Sequence, residues 1–132
     1  MQKTKIPRNF MLLDALSHAK DFTHVTYGLT DEDKSDPKLA LNFVKLEYWN
    51  CTIMYDDGAT LNIFELQCFC SNKFPDEPPE AIFSKESLTH KKVMKICDET
   101  GNLSPESKKA IKWEPEMNLG GFLNAISNLL SR

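Results

Sequence analysis

Residues 45–55 and 60–70 are two runs rich in β-branched and aromatic side chains, and they flank Asp57-Gly58, a strong tight-turn dipeptide. They predict an antiparallel hairpin near the centre of the chain, and the rest of the fold has to be arranged around it. With Asp57 and Gly58 as the two loop residues, Trp49 faces Leu66, Cys51 faces Phe64 and Ile53 faces Asn62, which makes one mostly apolar side. The other side pairs Asn50 with Glu65, Thr52 with Ile63 and Met54 with Leu61, and reads as half-wet. A slip of one residue would exchange the two faces, so the assignment rests on the turn.

The flanks of the hairpin are simpler. Pro7 suits the first turn of a helix, where its missing N–H costs nothing. From Arg8 to about Lys20 the chain holds good helix formers with no internal Gly or Pro. Leu12, Leu16 and Ala19 recur at helical spacing as the expected buried stripe, with Leu13 at its edge. Phe10 lies roughly 160° around the helix from Leu12. Its ring is therefore either packed by the preceding segment or offered to a partner. Val25 to Leu29 reads as a strand, and residues 30–38, charged and without an apolar side chain, read as a solvated loop.

After the hairpin, Phe74-Pro75-Asp76-Glu77-Pro78-Pro79 cannot lie in a helix or a central strand and predicts a stiff corner. A short strand is expected around Ala81-Ile82-Phe83. Residues 84–112 are polar and weakly patterned, with a modest excess of lysine, and read as a long solvated loop of the kind that is often functional. Trp113-Glu114-Pro115 then leads into a helix from about Asn118, a plausible N-cap, whose buried stripe is Leu119, Phe122, Leu123, Ile126 and Leu130. Gly120 and Gly121 fall on the other side and weaken its first turn.

The 132 residues suit a single α+β domain spanning 1–132. A net charge of −3 gives no basic field for nucleic acid, and no apolar run approaches the roughly 20 residues that cross a bilayer. The basic start, Met1 to Pro7, lacks the apolar core of a signal peptide, so the expected location is cytoplasmic and nuclear. In that reducing setting Cys51, Cys68, Cys70 and Cys97 are expected as small apolar residues rather than bridges. Cys68-x-Cys70 without a paired histidine motif is weak evidence for zinc, and neither metal nor cofactor is expected.

The order of helix, strand meander, Pro-rich corner, long loop, Trp and helix resembles the ubiquitin-conjugating fold. Ile6-Pro7-Arg8-Asn9-Phe10 with Leu12-Leu13, Val25-Thr26-Tyr27-Gly28-Leu29, Trp49-Asn50-Cys51-Thr52-Ile53, the Pro-rich corner and Trp113 are similar, in order, to one branch of that family. That branch is the ubiquitin-conjugating-enzyme variants, which pair with an active conjugating enzyme. The resemblance covers nearly the whole chain. The active branch needs a cysteine nucleophile and a His-Pro-Asn segment that supports the oxyanion or its loop. Here the corresponding stretch is Val93-Met94-Lys95, and Gly101-Asn102-Leu103-Ser104 puts serine in the nucleophile slot. The resemblance thus implies a protein without a catalytic site. Ile96-Cys97-Asp98 superficially resembles the active-cysteine run, but no glycine stands where that motif has one, and Cys97 sits farther ahead of Trp113 than usual.

The resemblance further implies roles. Phe10 would anchor in a pocket on the active enzyme, giving a heterodimer, with Ile6 and Arg8 around it. Thr26, Thr52 and Ile63 would hold an acceptor ubiquitin, so that one lysine meets the thioester on the partner. The implied product is the non-degradative chain linkage used in DNA-damage tolerance. Two further readings stand beside this one: an atypical conjugating enzyme using Cys97, and a free-standing ubiquitin- or peptide-binding adaptor. The chain departs from the family pattern in a longer acidic segment before Trp49 and in Tyr55-Asp56-Asp57-Gly58 where a Gly-Pro-Pro turn is customary.

Overall fold

The computed structural model describes residues 8–29 and 47–131. Ile6 and the acidic stretch 30–38 lie outside them. Four antiparallel strands form one sheet in sequence order: β1 (Val25–Leu29), β2 (Tyr48–Asp56), β3 (Leu61–Phe69) and β4 (Glu80–Phe83). The helices are α1 (Arg8–Ser17), α2 (Lys91–Ile96), α3 (Pro105–Ile111) and α4 (Asn118–Leu130). The hydrophobic core lies between one face of the sheet and the helices, with Trp49, Ile53, Cys68, Leu12, Leu119 and Ile126 fully buried. This is the expected α+β arrangement, and β1 begins and ends where the sequence puts it.

The hairpin forms, but its register differs by two residues from the expected one. Cys51 pairs with Leu66, Ile53 with Phe64, Thr52 with Glu65 and Met54 with Ile63. The cause is the turn. The Asp57 carboxylate accepts from the backbone N–H of Ala59 (2.9 Å) and Thr60 (2.7 Å), and Asp57 N–H donates to Thr60 O, closing a four-residue loop. Gly58 takes the positive φ (92°) that this loop needs. Because side chains alternate with period two, a shift of two leaves every residue on its predicted face.

The helix α1 ends three residues earlier than expected and turns into a 3-10 segment, Ala19–Asp21. Its buried side is Leu12 and Ala15, flanked by Met11 and Ala19, whereas Leu16 is exposed. The stripe is therefore rotated toward Met11 and Ala15. Residues 84–112 are not an open loop. They contain α2 and α3, which bury Val93, Ile96 and Ile111. Both are short and depend on caps rather than periodicity. His90 Nδ1 accepts from Lys92 N–H (3.1 Å), and Ser104 Oγ accepts from Ser107 N–H (3.2 Å), with Pro105 in the first turn.

The helix α4 buries all five residues of its predicted stripe, Leu119, Phe122, Leu123, Ile126 and Leu130. Asn118 has φ 56° and ψ −170°, so it acts as a junction. Its Oδ1 accepts from Leu119 N–H, and its Nδ2 donates to Met11 O (2.7 Å). Gly120 is not on an open side. It is buried, and a Cβ there would lie 2.9 Å from the Tyr27 hydroxyl and closer still to the Phe22 ring. The absence of a side chain lets α4 approach β1. At the Pro-rich corner the Phe74–Pro75 bond is cis, and Trp113 Nε1–H donates to Pro75 O (2.9 Å) while its ring packs on Phe74 and Phe122.

Candidate functional site

Three places carry the residues singled out in the sequence. On the first, α1 turns one side to the core and another to solvent. Phe10 is 64% exposed and Leu13 50%, with Leu16 partly so, and the three fall within about 120° of the helix circumference. The phase of the helix is held at its start by Arg8. Its Nε donates to Ser71 O and its Nη2 to Cys70 O, both at 2.8 Å. Hydrogen bonds from a charged donor contribute about 1.5–3 kcal/mol, so the guanidinium clamps α1 to the end of β3 and aims Phe10 outward. Arg8 thus has a role inside the fold that sequence reasoning did not see, two residues from the ring it was expected to accompany.

The second place is the outer face of the sheet. Thr26 is directly opposite Thr52 across β1 and β2, and their hydroxyls are hydrogen-bonded to each other. Ile63 is directly opposite Met54, one diagonal step from Thr52, about 7–8 Å away on the same face. It is 60% exposed, and Leu61, two residues back on β3, is exposed as well. Thr26, Thr52 and Ile63 therefore form one contiguous surface, with Met54 and Leu61 enlarging its apolar part. Those two additions follow from the same period-two pattern that put Ile63 there. Beside them, Asn50, Glu65, Gln67 and Ile82 line a shallow concavity of about 550 Å³.

The third place is where a nucleophile would be sought. The Ser104 hydroxyl is the N-cap of α3 and lies 3.0 Å from Ser107 Oγ, which donates to Ile96 O (2.9 Å). It is engaged in holding two short helices together. Val93, Met94 and Lys95 lie within α2, with Val93 buried and Met94 exposed. Cys97 follows that helix, bridged to Leu103. Burial pushes its thiol up to about 12, and the neighbouring Asp98 carboxylate pushes in the same direction. At neutral pH it stays protonated, and a thiol is a far weaker nucleophile than a thiolate. Asp98 itself is held below the usual carboxylate range, chiefly by the Thr100 hydroxyl, and organises the 98–102 turn.

Cys51, Cys68 and Cys70 are buried and free. Among the described residues, no three His, Cys, Asp or Glu side chains are grouped so as to hold a metal, and no helix is long and apolar enough to cross a membrane.

No family model matches the chain. In sequence it is 26% identical over 121 residues to the Schizosaccharomyces pombe protein named ubiquitin-conjugating enzyme spm2, a match covering 87% of this chain and 78% of that one. It is 31% identical to ubiquitin-conjugating enzyme E2 variant 1B of Arabidopsis thaliana, over 62% of this chain and 49% of the relative. It is 32% identical to ubiquitin-conjugating enzyme variant MMS2 of Saccharomyces cerevisiae, over 61% of this chain and 56% of the relative. The last two matches thus span about half of those proteins. In structure, the human ubiquitin-conjugating enzyme E2 G1 superposes with a TM-score of 0.65 at 17% identity, over 97% of this chain and 98% of that one.

Proposed function

We propose that this chain, which has the ubiquitin-conjugating fold and stands with the ubiquitin-conjugating enzyme variants among its sequence relatives, is a non-catalytic subunit that pairs with an active conjugating enzyme and positions an acceptor ubiquitin. The observation that carries the reading is Phe10, an aromatic ring 64% exposed on a helix that, among its described residues, buries only Leu12 and Ala15 in the core. A large apolar side chain held out in water loses nothing on leaving it, and such anchors dominate interface energetics. Leu13 continues the apolar surface alongside it, and Arg8 fixes its direction. In this reading Ile6 and Arg8 border the ring where the active enzyme docks.

The second half of the reading concerns Thr26, Thr52 and Ile63. An exposed isoleucine bordered by hydroxyls suits a small hydrophobic patch on ubiquitin. The subunit makes and breaks no bonds. It holds an amine near the partner's thioester and raises its effective concentration, and the docking angle selects the lysine. The protonated, half-buried Cys97 and the helix-capping Ser104 agree with a silent role. The product is a linkage-specific, non-degradative ubiquitin chain, of the kind used in DNA-damage tolerance, made in the cytoplasm and nucleus.

The test is chain synthesis by an active conjugating enzyme with and without this protein, with Phe10→Ala alongside. Stimulation by the wild type, lost in Phe10→Ala, supports the reading. Absence of stimulation, together with ubiquitin loaded on Cys97 and blocked by Cys97→Ala, would make the protein an enzyme in its own right.

A further inference from the structure

Burial alone restrains the roll of α1 weakly. A helix lying on a core usually turns a broad apolar stripe toward it, yet among the described side chains of α1 only Leu12 and Ala15 are buried. Polar ties supply what packing lacks. Arg8 holds the first turn to Cys70 O and Ser71 O. Farther along, Asn118 Nδ2 donates to Met11 O at 2.7 Å, and the Tyr27 hydroxyl donates to Ala15 O at 2.6 Å. Arg8, Met11 and Ala15 fall within about 60° of one another around the helix, and their mean direction is roughly 160° from that of Phe10 and Leu13. The ties run down the back of a helix whose front carries the exposed pair.

Asn118 is the unusual member. Its φ of 56° and ψ of −170° belong to a region that is essentially glycine's own, so a side chain there is strained. Both ends of that side chain are used. Oδ1 accepts from Leu119 N–H at 2.9 Å while Nδ2 reaches α1. Tyr27 sits on β1 with its ring against Phe22 and Trp49, and burial pushes its pKa up to about 12, so the hydroxyl remains a donor at neutral pH. Ala15 O already accepts from His18 N–H, so the Tyr27 bond is not there to rescue an orphaned carbonyl. Gly120 brings the two donors together: a Cβ in its place would lie 2.9 Å from the Tyr27 hydroxyl, so the start of α4 lies against β1 and Asn118 comes within reach of α1.

We propose that Asn118 and Tyr27 are positioning residues for pairing with the active conjugating enzyme: they set the roll of α1, and with it the direction in which Phe10 and Leu13 are presented. The inference rests on the reading of Phe10 as the anchor. Neither residue meets the partner; both act through α1. An anchor held ready in its bound direction spares the ordering that association would otherwise require.

Asn118→Gly is the decisive variant, because it removes the donor and the strain together. Tyr27→Phe is its companion, removing one hydroxyl and keeping the ring. On the free full-length protein, residual dipolar couplings of the α1 amides should change in both variants while those of β2 stay. Affinity for a conjugating enzyme that the wild type stimulates should fall about three- to tenfold in each. The melting temperature of Asn118→Gly should not fall with it, since glycine takes this backbone without strain. The KM for acceptor ubiquitin, measured with the heterodimer saturated, should stay put. In a Phe10→Ala background Asn118→Gly should cost less than about twofold more, because the ring it aims is gone. Unchanged couplings in α1, affinity lost only in step with melting temperature, or losses that simply add to that of Phe10→Ala would overturn the proposal. A wild type that binds no conjugating enzyme would overturn the pairing itself, and the couplings of the free protein would then decide alone whether these two residues hold α1.

Discussion

Phe10 and Ile63 are exposed to nearly the same degree, 64% and 60%, yet the fold holds them in opposite ways. Phe10 projects from the first turns of a ten-residue helix tied at its start by one side chain, Arg8, and farther along by Asn118 and the burial of Leu12 and Ala15. Ile63 stands in the third of four strands, paired directly with Met54 of β2 in a continuous nine-residue ladder, while the β4 pairing begins only at Leu66. A projecting ring on a clamped helix concentrates binding energy in one residue. A flat strand residue among Met54, Leu61 and Thr52 spreads it over several. The contrast predicts that the first surface fails all at once and the second by degrees.

The comparison can be broken most sharply at Phe10. Phe10→Ala should weaken association with the active enzyme by about 2–4 kcal/mol, some thirtyfold to several hundredfold in Kd by calorimetry, without lowering Tm. A drop in Tm equal to the loss of affinity would mean the ring belongs to the core. Arg8→Ala is the next largest. It leaves the Cys70 and Ser71 carbonyls without their charged donor and should cost about 1–3 kcal/mol of folding stability in urea unfolding. Affinity for the partner should fall less than in Phe10→Ala, since the ring itself remains. Were stability unchanged, the clamp would be dispensable and the helix phase set by packing alone.

On the sheet, Ile63→Ala should raise the KM for acceptor ubiquitin by about 1 kcal/mol, several-fold, while heterodimer affinity stays constant. Thr52→Ala should do less, and adding it to Ile63→Ala should accumulate rather than saturate. A single-residue collapse of activity at Ile63 would show that the two surfaces are built alike. The smallest effect lies at the far end of α1. Hydrogen bonding to Asp21, with the charges of Asp14 and Asp21 behind it, raises the His18 pKa above 6.5. A histidine whose folded pKa is raised lends stability that is complete below its unfolded value and fades as pH climbs through the folded one. His18 is fully exposed, so the expected change is a slight loss of stability as pH passes upward through that raised value. An NMR titration should find its midpoint above 6.5, moving down in Asp21→Asn; a midpoint indifferent to that change would dissolve the assignment.

What the sequence reveals depends on whether order is local. The strand Val25–Leu29 and the five-residue stripe of α4 follow from periodicities contained within the segments themselves. The hairpin register does not, because it was decided by one carboxylate, Asp57, binding the backbone of its own loop. Even so, Thr52 and Ile63 kept their face, since a two-residue shift preserves it. The short helices of 84–112 were illegible because a six- or seven-residue helix has too few turns to show a period, and it stands on caps at His90 and Ser104 and on burial against the rest of the chain. Periodicity puts Leu16 in the stripe where the structure buries Ala15, because tertiary docking, not propensity, sets the rotation of α1.

Ser104 carries a consequence for the history open to such a chain. By resemblance it stands where active relatives keep their nucleophile, and here its hydroxyl starts α3 and meets Ser107, whose own hydroxyl reaches back to the end of α2. Restoring a sulfur at that position would give up the cap, worth about 1 kcal/mol, and loosen the junction between two helices before any chemistry was regained. On that resemblance, a position the active branch gives to chemistry serves architecture in this chain, and the helix junction it supports would resist the return of a nucleophile.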